Sequence, residues 1–284
     1  MADLAVLAAP LVASLRDAEG LVLVVTGAGV SAASGIRTFR GKEPGALWRE
    51  HDVAMATAGC FRRDPVGQLA WYLDRFAAVD AARPNPAHRS LAAIERHLRS
   101  AGRPFLLVTQ NIDTLHEQAG SERLIKVHGT ADRVRCGRER CPLGAPSGSL
   151  PRSAVDLDSF RREPGEASLP RCPECGSPLR PHVLFFDEYY ADHHDYRFAE
   201  VEQAAGRAAA MLFVGTSFAV GVTALLLDAG TRRGVPMWSI DPAAGRAPGG
   251  APVRALAAPA ERLLPVVAAA LGGPPAGGAS GRRR

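Results

Sequence analysis

The chain has 284 residues, 46% of them hydrophobic and 22% charged, enough for one large core or two smaller ones. Its formal net charge is +5, but Arg282, Arg283 and Arg284 supply three of those charges and leave +2 for the body. That balance argues against a nucleic-acid surface, and no apolar run approaches the roughly 20 residues of a membrane span.

Residues 1–19 have the pattern of an amphipathic helix. They lack the basic start and cleavage site of a secretory leader, so the chain is expected in the cytoplasm with its thiols reduced. Residues 21–25 form an apolar run ended by Thr26-Gly27-Ala28-Gly29, the mark of a strand buried on both faces. Similar runs at 105–108, 124–127, 211–214 and 236–240 alternate with helical patterns at 87–100, 198–209, 220–233 and 260–271. This alternation predicts an α/β fold, a Rossmann-like doubly wound parallel sheet assembled from 1–40, 87–132 and 182–271. Residues 41–86, helical in pattern, and 133–181, rich in Pro, Gly and Arg, are predicted to form a smaller domain on the sheet's carboxyl edge. Residues 272–284 hold no apolar content to fold around and are expected to be disordered.

The second insertion carries Cys136 and Cys141, then, after thirty residues, Cys172 and Cys175. Four thiolates on two short knuckles suit one tetrahedral Zn²⁺, and a closed Cys₄ set is structural rather than catalytic. Arg135, Arg138, Arg140 and Arg171 are expected to offset its charge. Two disulfides, or four unrelated thiols, are the competing readings. Cys60 reads as an ordinary thiol.

In a parallel sheet the carboxyl ends of the strands face the ligand crevice. Five such ends turn polar here. The first continues as Gly27-Ala28-Gly29-Val30-Ser31, whose glycines would let backbone amides approach a pyrophosphate. Thr38, Phe39 and Arg40 follow on a loop over the same edge. After 105–108 come Gln110, Asn111 and Asp113, suited to ribose hydroxyls and a carboxamide, although Asn111 or Asp113 could equally cap a helix. His128 follows 124–127, placed as a general base; His182 reads as structural, and the other six histidines offer no comparable placement. Gly215, Thr216 and Ser217 end the fourth strand, and Asp241 the fifth.

Taken together, residues 27–41 (Gly-Ala-Gly-Val-Ser-Ala-Ala-Ser-Gly-Ile-Arg-Thr-Phe-Arg-Gly), Thr109–Asp113, Val127-His128-Gly129, the four cysteines and Gly215–Ser217 resemble the signature blocks of sirtuins, in family order, over about 21–271. The resemblance implies a protein-lysine deacylase that consumes NAD and carries one structural Zn²⁺. The acyl oxygen would attack the nicotinamide ribose and expel nicotinamide. His128 would deprotonate a ribose hydroxyl, and water would release lysine and an O-acyl-ADP-ribose. It further implies that Asp113 holds the carboxamide, Asn111 and Gln110 the ribose, and Ser31 and Ser217 the phosphates or the ribose near them. Gly27, Ala28, Gly29, Thr38, Phe39, Arg40, Gly215, Thr216, Asp241 and Ala260 complete the expected cofactor set. Substrate contacts are expected from Ala56, Tyr72, Arg75, Val183, Phe186, Glu188 and Val220.

Arg37-Thr38 and Tyr72-Leu73-Asp74-Arg75 are similar to the desuccinylase-like branch, in which Tyr and Arg one helical turn apart could hold an acidic acyl group and Ala56 would leave it room. Asp187, Val222 and Asp241 depart from a Gly, a Pro and an Asn common in the family. Expected partners are NAD and acyl-lysine proteins, with the chain a monomer. NAD glycohydrolysis, ADP-ribosyl transfer, and non-catalytic NAD or ADP-ribose sensing remain as alternatives; nicotinamide release with and without acyl peptide separates them.

Overall fold

The computed structural model describes residues 3–37, 50–243 and 247–272. Thr38, Phe39, Arg40 and the tail from 273 onward therefore lie outside the described residues. Helix α1 (Leu4–Asp17) is capped by the Asp3 carboxylate, which accepts from the Ala5 N–H at 2.9 Å. Strand β1 (Leu21–Thr26) and a 3₁₀ turn over Ala28–Ser34 follow. Four helices come next: α2 (Glu50–Met55), α3 (Ala58–Arg63), α4 (Pro65–Ala81) and α5 (Pro86–Ser100). Then come β2 (Phe105–Thr109), α6 (Leu115–Gln118), β3 (Leu124–Lys126), β4 (Gly129–Cys136), β5 (Leu150–Pro151), α7 (Asp158–Arg162) and β6 (Leu179–Val183). The chain continues with α8 (Phe198–Arg207), β7 (Ala208–Val214), α9 (Gly221–Arg233), β8 (Met237–Ile240), β9 (Val253–Leu256) and α10 (Ala260–Gly272). Among the described residues, no helix is long and apolar enough to cross a membrane.

Six strands form one sheet in the order β3-β2-β1-β7-β8-β9, every neighbouring pair parallel. Alternation along each strand sends side chains to opposite faces. Val22 and Val24 pack with Leu107, Leu212, α1, α5 and α10, whereas Leu23 and Val25 pack with Val108, Phe213, α8 and α9. The central strands are apolar throughout because each serves two cores. In α5 the buried Ala87, Leu91, Ile94 and Leu98 recur at helical spacing, and α1 does the same with Ala8, Leu11, Val12 and Leu15.

Some boundaries differ from the sequence reading. Ala208 and Ala209, expected at the end of a helix, belong to β7 because pairing with β1 outweighs the helix propensity of an alanine run. The sixth strand, β9, was not predicted, since Val253-Arg254-Ala255-Leu256 is short and half exposed at the sheet's edge.

The two insertions share an interior. Ala56, Phe61, Leu69, Tyr72, Leu73 and Phe76 from 41–86 pack with Leu157, Phe160 and Leu169 from 133–181, and with Ala131, Val183 and Phe185. An antiparallel sheet, β5-β4-β6, carries the cysteine knuckles, and its strands begin at Gly129 and end at Val183.

Candidate active site

Strand register brings the polar ends into line: Thr26 pairs with Thr109 and Val214, Thr109 with Lys126, and Val214 with Ile240. Gly27–Ser31, Gln110–Asp113, His128, Gly215–Ser217 and Asp241 thus emerge along one edge.

The glycines have a specific reason here. A Cβ on Gly27 would stand 2.8 Å from the Gly215 carbonyl oxygen, and one on Gly29 would stand 2.7 Å from the Gly215 Cα. Gly215 itself is left-handed, at φ +57°. The Gly27 N–H donates to the Val214 carbonyl at 3.1 Å and the Gly29 N–H to that of Gly215 at 2.9 Å. These two amides are engaged with the neighbouring strand end, so the glycines secure a close approach of two loops.

A buried polar chain lies beneath that edge. The Asn85 N–H donates to His88 Nδ1 at 3.3 Å, which puts the ring proton on Nε2, 3.4 Å from Ser31 Oγ. Ser31 Oγ also receives Asn111 Nδ2 at 3.1 Å and donates to Asp113 Oδ2 at 2.9 Å. Asp113 Oδ1 accepts from the Leu115 N–H at 3.0 Å, so helix capping and site-building coexist in one carboxylate. Gln110 Nε2 donates to the Thr26 carbonyl at 3.2 Å and to Thr216 Oγ1 at 3.1 Å. The His116 ring packs tilted against that of His88, with centroids 4.8 Å apart and planes at 60°, and reaches Thr26 Oγ1 at 3.0 Å. His88 and His116 therefore belong to the site's support, both buried within the polar chain and carried by α5 and α6 rather than by a strand end. Their signal was positional. His88 is the third residue of a helix capped by Asn85, and His116 follows Asp113 by one turn of chain.

His128 stands just beyond β3. Its Nδ1 is 2.7 Å from the Gln110 carbonyl, an acceptor only, so Nδ1 carries the proton and Nε2 the lone pair. Burial holds its pKa down at about 4, with the Gln110 hydrogen bond opposing. Its base form thus exists throughout the neutral range.

Ser217 is exposed and Val220 half-buried just before α9, while Ala260 is buried at the start of α10. Asp241 is engaged in a turn, accepting from the Ala243 N–H at 2.8 Å. Ala56, Tyr72 and Val183 meet in one apolar cluster, with Tyr72 stacked on Phe185 at 5.7 Å. Arg75 places its guanidinium 3.5 Å from the centre of the Trp71 ring and donates to the Trp71 carbonyl at 3.2 Å. Phe186 is 49% exposed, and its backbone N–H donates to the Ala56 carbonyl at 3.0 Å. Asp187, beside it, accepts from the Ala58 and Gly59 N–H groups at 2.6 and 3.0 Å. The carboxylate that departs from the family pattern thus ties this loop to α3. Glu188 turns inward: Arg135 at 3.1 Å, Arg180 at 3.0 Å and the Phe185 N–H at 2.9 Å all donate to it. Those bonds hold its carboxyl below the usual range against the opposing effect of burial.

The four cysteine sulfurs lie within 4.8 Å of one another, with Cys136–Cys175 at 3.5 Å and Cys141–Cys172 at 3.6 Å. Tetrahedral Zn–S bonds of about 2.3 Å would set the sulfurs about 3.8 Å apart, so the thiols fit zinc and are far too separated for disulfides. The charge-offsetting role expected of the arginines is corrected in part. Arg135 pairs with Glu188 and Arg171 with Glu166, whereas the Arg138 backbone N–H donates to Cys136 Sγ at 3.3 Å. Hydrogen bonds from Ser177 hold Cys175 down at about 6.

A second group, His182, His193 and Asp195, also has its ligand atoms within 4.8 Å. Arg133, Arg135 and Arg180 surround His182, a field that opposes a cation. His193 engages one nitrogen with the Asp195 N–H and the other with the Gly148 carbonyl, each at 3.1 Å. This group packs the small sheet, as read for His182.

Comparison with known proteins agrees with this layout. The Sir2 family model matches residues 27–222. An NAD-dependent protein deacylase of Thermus thermophilus is 41% identical over 206 residues, 72% of each chain. The mitochondrial NAD-dependent protein deacylase sirtuin-5 of Canis lupus familiaris is 34% identical over 226 residues, 76% of this chain and 71% of the relative. The crystal structure of a Sir2 homologue in complex with NAD superposes with a TM-score of 0.74 at 31% identity, covering 93% of both chains. With the family model spanning well over half of it, this chain belongs to the Sir2, or sirtuin, family.

Proposed function

We infer that the chain is an NAD-dependent protein-lysine deacylase that accepts acetyl and acidic acyl groups such as succinyl. The observation that carries this is the line of polar strand ends with the His128 Nε2 lone pair among them. Donors and acceptors in a row are what a carboxamide and a ribose diol need, and a neutral imidazole beside them is what a hydroxyl needs to become a nucleophile. NAD is consumed as a substrate, supplying the ribose to which the acyl group moves.

In this reading His128 Nε2 takes the proton from a ribose hydroxyl, while the Gln110 carbonyl keeps the opposite ring nitrogen protonated and so fixes the tautomer. Asp113, held by Ser31 and the Leu115 N–H, presents a fixed carboxylate to the nicotinamide carboxamide. Gln110 and Asn111 serve the ribose, and Ser217 the phosphates or the ribose near them. Cofactor contacts are likewise assigned to Thr38, Phe39 and Arg40, and Thr216, Asp241 and Ala260 complete the set. Ala56, Val183, Phe186 and Val220 line the acyl-lysine path, with Tyr72 and Arg75 at the acyl end. Glu188 serves the substrate by anchoring the Phe186 loop. The zinc, held by Cys136, Cys141, Cys172 and Cys175, contributes folding rather than chemistry. The chain works as a monomer in the cytoplasm and needs neither membrane nor nucleic acid.

Nicotinamide release with acetyl, succinyl or no peptide tests the whole assignment. Release that depends on peptide is expected. Equal release without peptide would mean NAD glycohydrolysis, and none in any arm would mean a sensor.

A further inference from the structure

The Tyr190 ring lies against His128 with centroids 5.8 Å apart and planes 21° from parallel. It also stacks on Phe198 at 4.2 Å and 9°. The phenol oxygen is 3.3 Å from His128 Nε2 and 3.4 Å from the Val222 nitrogen. Directions follow from the donors. The Gln110 carbonyl fixes the ring proton on Nδ1, so Nε2 can only accept. The Val222 N–H occupies a lone pair of the phenol oxygen, so the Tyr190 O–H is the donor to Nε2. Val222 stands where a proline, lacking an N–H, is common in the family, so this contact depends on the departure.

Nε2 is the atom through which a general base must accept the substrate proton. The phenol and a substrate hydroxyl therefore compete for one lone pair. We propose that Tyr190 is a latch on the base: its O–H caps His128 Nε2, and the NAD ribose hydroxyl must displace it before deprotonation begins. This rests on the reading of His128 as the base. Tyr190 is accordingly a positioning residue, held by Val222 and Phe198. A donor to the neutral imidazole also stabilises the uncharged ring, in the same direction as burial. Burial and the Gln110 carbonyl are the other influences on this histidine, with no charged side chain among them. Tyr190 is the titratable group that the described residues place against it.

Tyr190→Phe keeps both ring stacks and removes the capping O–H. The His128 imidazole, followed by NMR in the ligand-free protein, should then titrate at higher pH. At pH 8, with saturating acetyl peptide, kcat/KM for NAD should rise about 2- to 12-fold, the size of one neutral hydrogen bond. Val222→Pro places proline at the second position of α9, where its missing N–H is tolerated. By loosening the phenol it should move both readouts the same way and by less. An unmoved His128 titration, or a fall in kcat/KM, in Tyr190→Phe overturns the latch; should that variant not fold, the same readouts in Val222→Pro decide. His128→Ala runs alongside. Turnover surviving in it would break the base assignment itself, whereas an inactive His128→Ala with an unmoved Tyr190→Phe breaks only the latch.

Discussion

Around the parallel sheet, both faces of every central strand are filled: Val22, Val24 and Leu212 on one side, Leu23, Val25 and Phe213 on the other. Around the knuckles the buried apolar cluster is Val134, Leu179 and the cysteines Cys136, Cys141 and Cys172. Fully burying an aliphatic side chain stabilises by about 1.5–3 kcal/mol, so two such residues contribute little against the entropy of ordering the knuckles themselves, whereas Leu157, Phe160 and Leu169 of the same stretch are held by packing on α3 and α4. The sheet region folds on apolar burial, and the knuckles themselves are expected to depend on their metal. The candidate active site lies where the two meet, its polar strand ends on the first and the proposed substrate loop anchored in the second by Glu188, Arg135 and Arg180.

Removing zinc should break this contrast most forcefully. Structural zinc supplies about 10–16 kcal/mol in small domains, so chelation or Cys172→Ala should unfold the knuckle region. Amides of β4 and β6 should lose protection from hydrogen exchange while those of β1 and β7 keep it. One zinc per chain by elemental analysis is expected; a metal-free chain of full stability would end the assignment.

Acid should affect both regions. His88 in the sheet region is pushed down to about 4 and His182 in the knuckle region to about 2, each mainly by burial, against about 6.5 when unfolded. Folded values below unfolded ones mean that the unfolded chain takes up protons first. Stability is therefore complete above about pH 6.5 and falls with pH, for His88 until about pH 4, by roughly 3 kcal/mol from that group alone. Denaturant midpoints measured from pH 7 to 4.5 check this, and His88→Asn should flatten the slope. A slope unchanged by that substitution would mean that other groups carry the acid sensitivity.

The same contrast governs what could be read from the sequence. The central strands were legible because burial on both faces leaves an uninterrupted apolar run, and the turn to polar residues after Thr26, Thr109 and Val214 marked the site edge. Cysteine spacing marked the metal. Strand β9 was not legible, since an edge strand need not be apolar. The small sheet was missed because Arg135 and Arg180 are buried there by sharing Glu188, and half-buried Arg133 bonds to Ser149, contacts that a charged residue's place in the sequence does not announce. His88 and Tyr190 escaped for the same reason: their importance comes from contact with Ser31 and His128, which spacing does not reveal.

His128→Ala sharpens the comparison by touching chemistry and leaving both cores intact. Turnover on acetyl peptide should fall about 10²- to 10⁴-fold, with NAD binding by calorimetry and zinc content unchanged. Near-normal turnover would remove His128 from the mechanism.

The smallest effect, and the most discriminating, concerns Arg75. A carboxylate entering an apolar acyl path is penalised unless a cation meets it. The path proposed here is apolar, since Ala56, Tyr72 and Val183 share one cluster with Phe185. Arg75 lies one helical turn from Tyr72 and rests on Trp71, a contact of roughly 0.5–2 kcal/mol that a bidentate carboxylate can replace. A charge-assisted hydrogen bond contributes about 1.5–3 kcal/mol. Arg75→Met, which keeps the length and the packing on Trp71, should therefore lower kcat/KM for succinyl peptide about 10- to 100-fold. Acetyl peptide offers nothing for the guanidinium to hold, and its kcat/KM should change less than about twofold. Equal losses on both substrates, accompanied by a lower Tm, would place Arg75 with the residues that hold α4 together and leave the acidic acyl group without a partner.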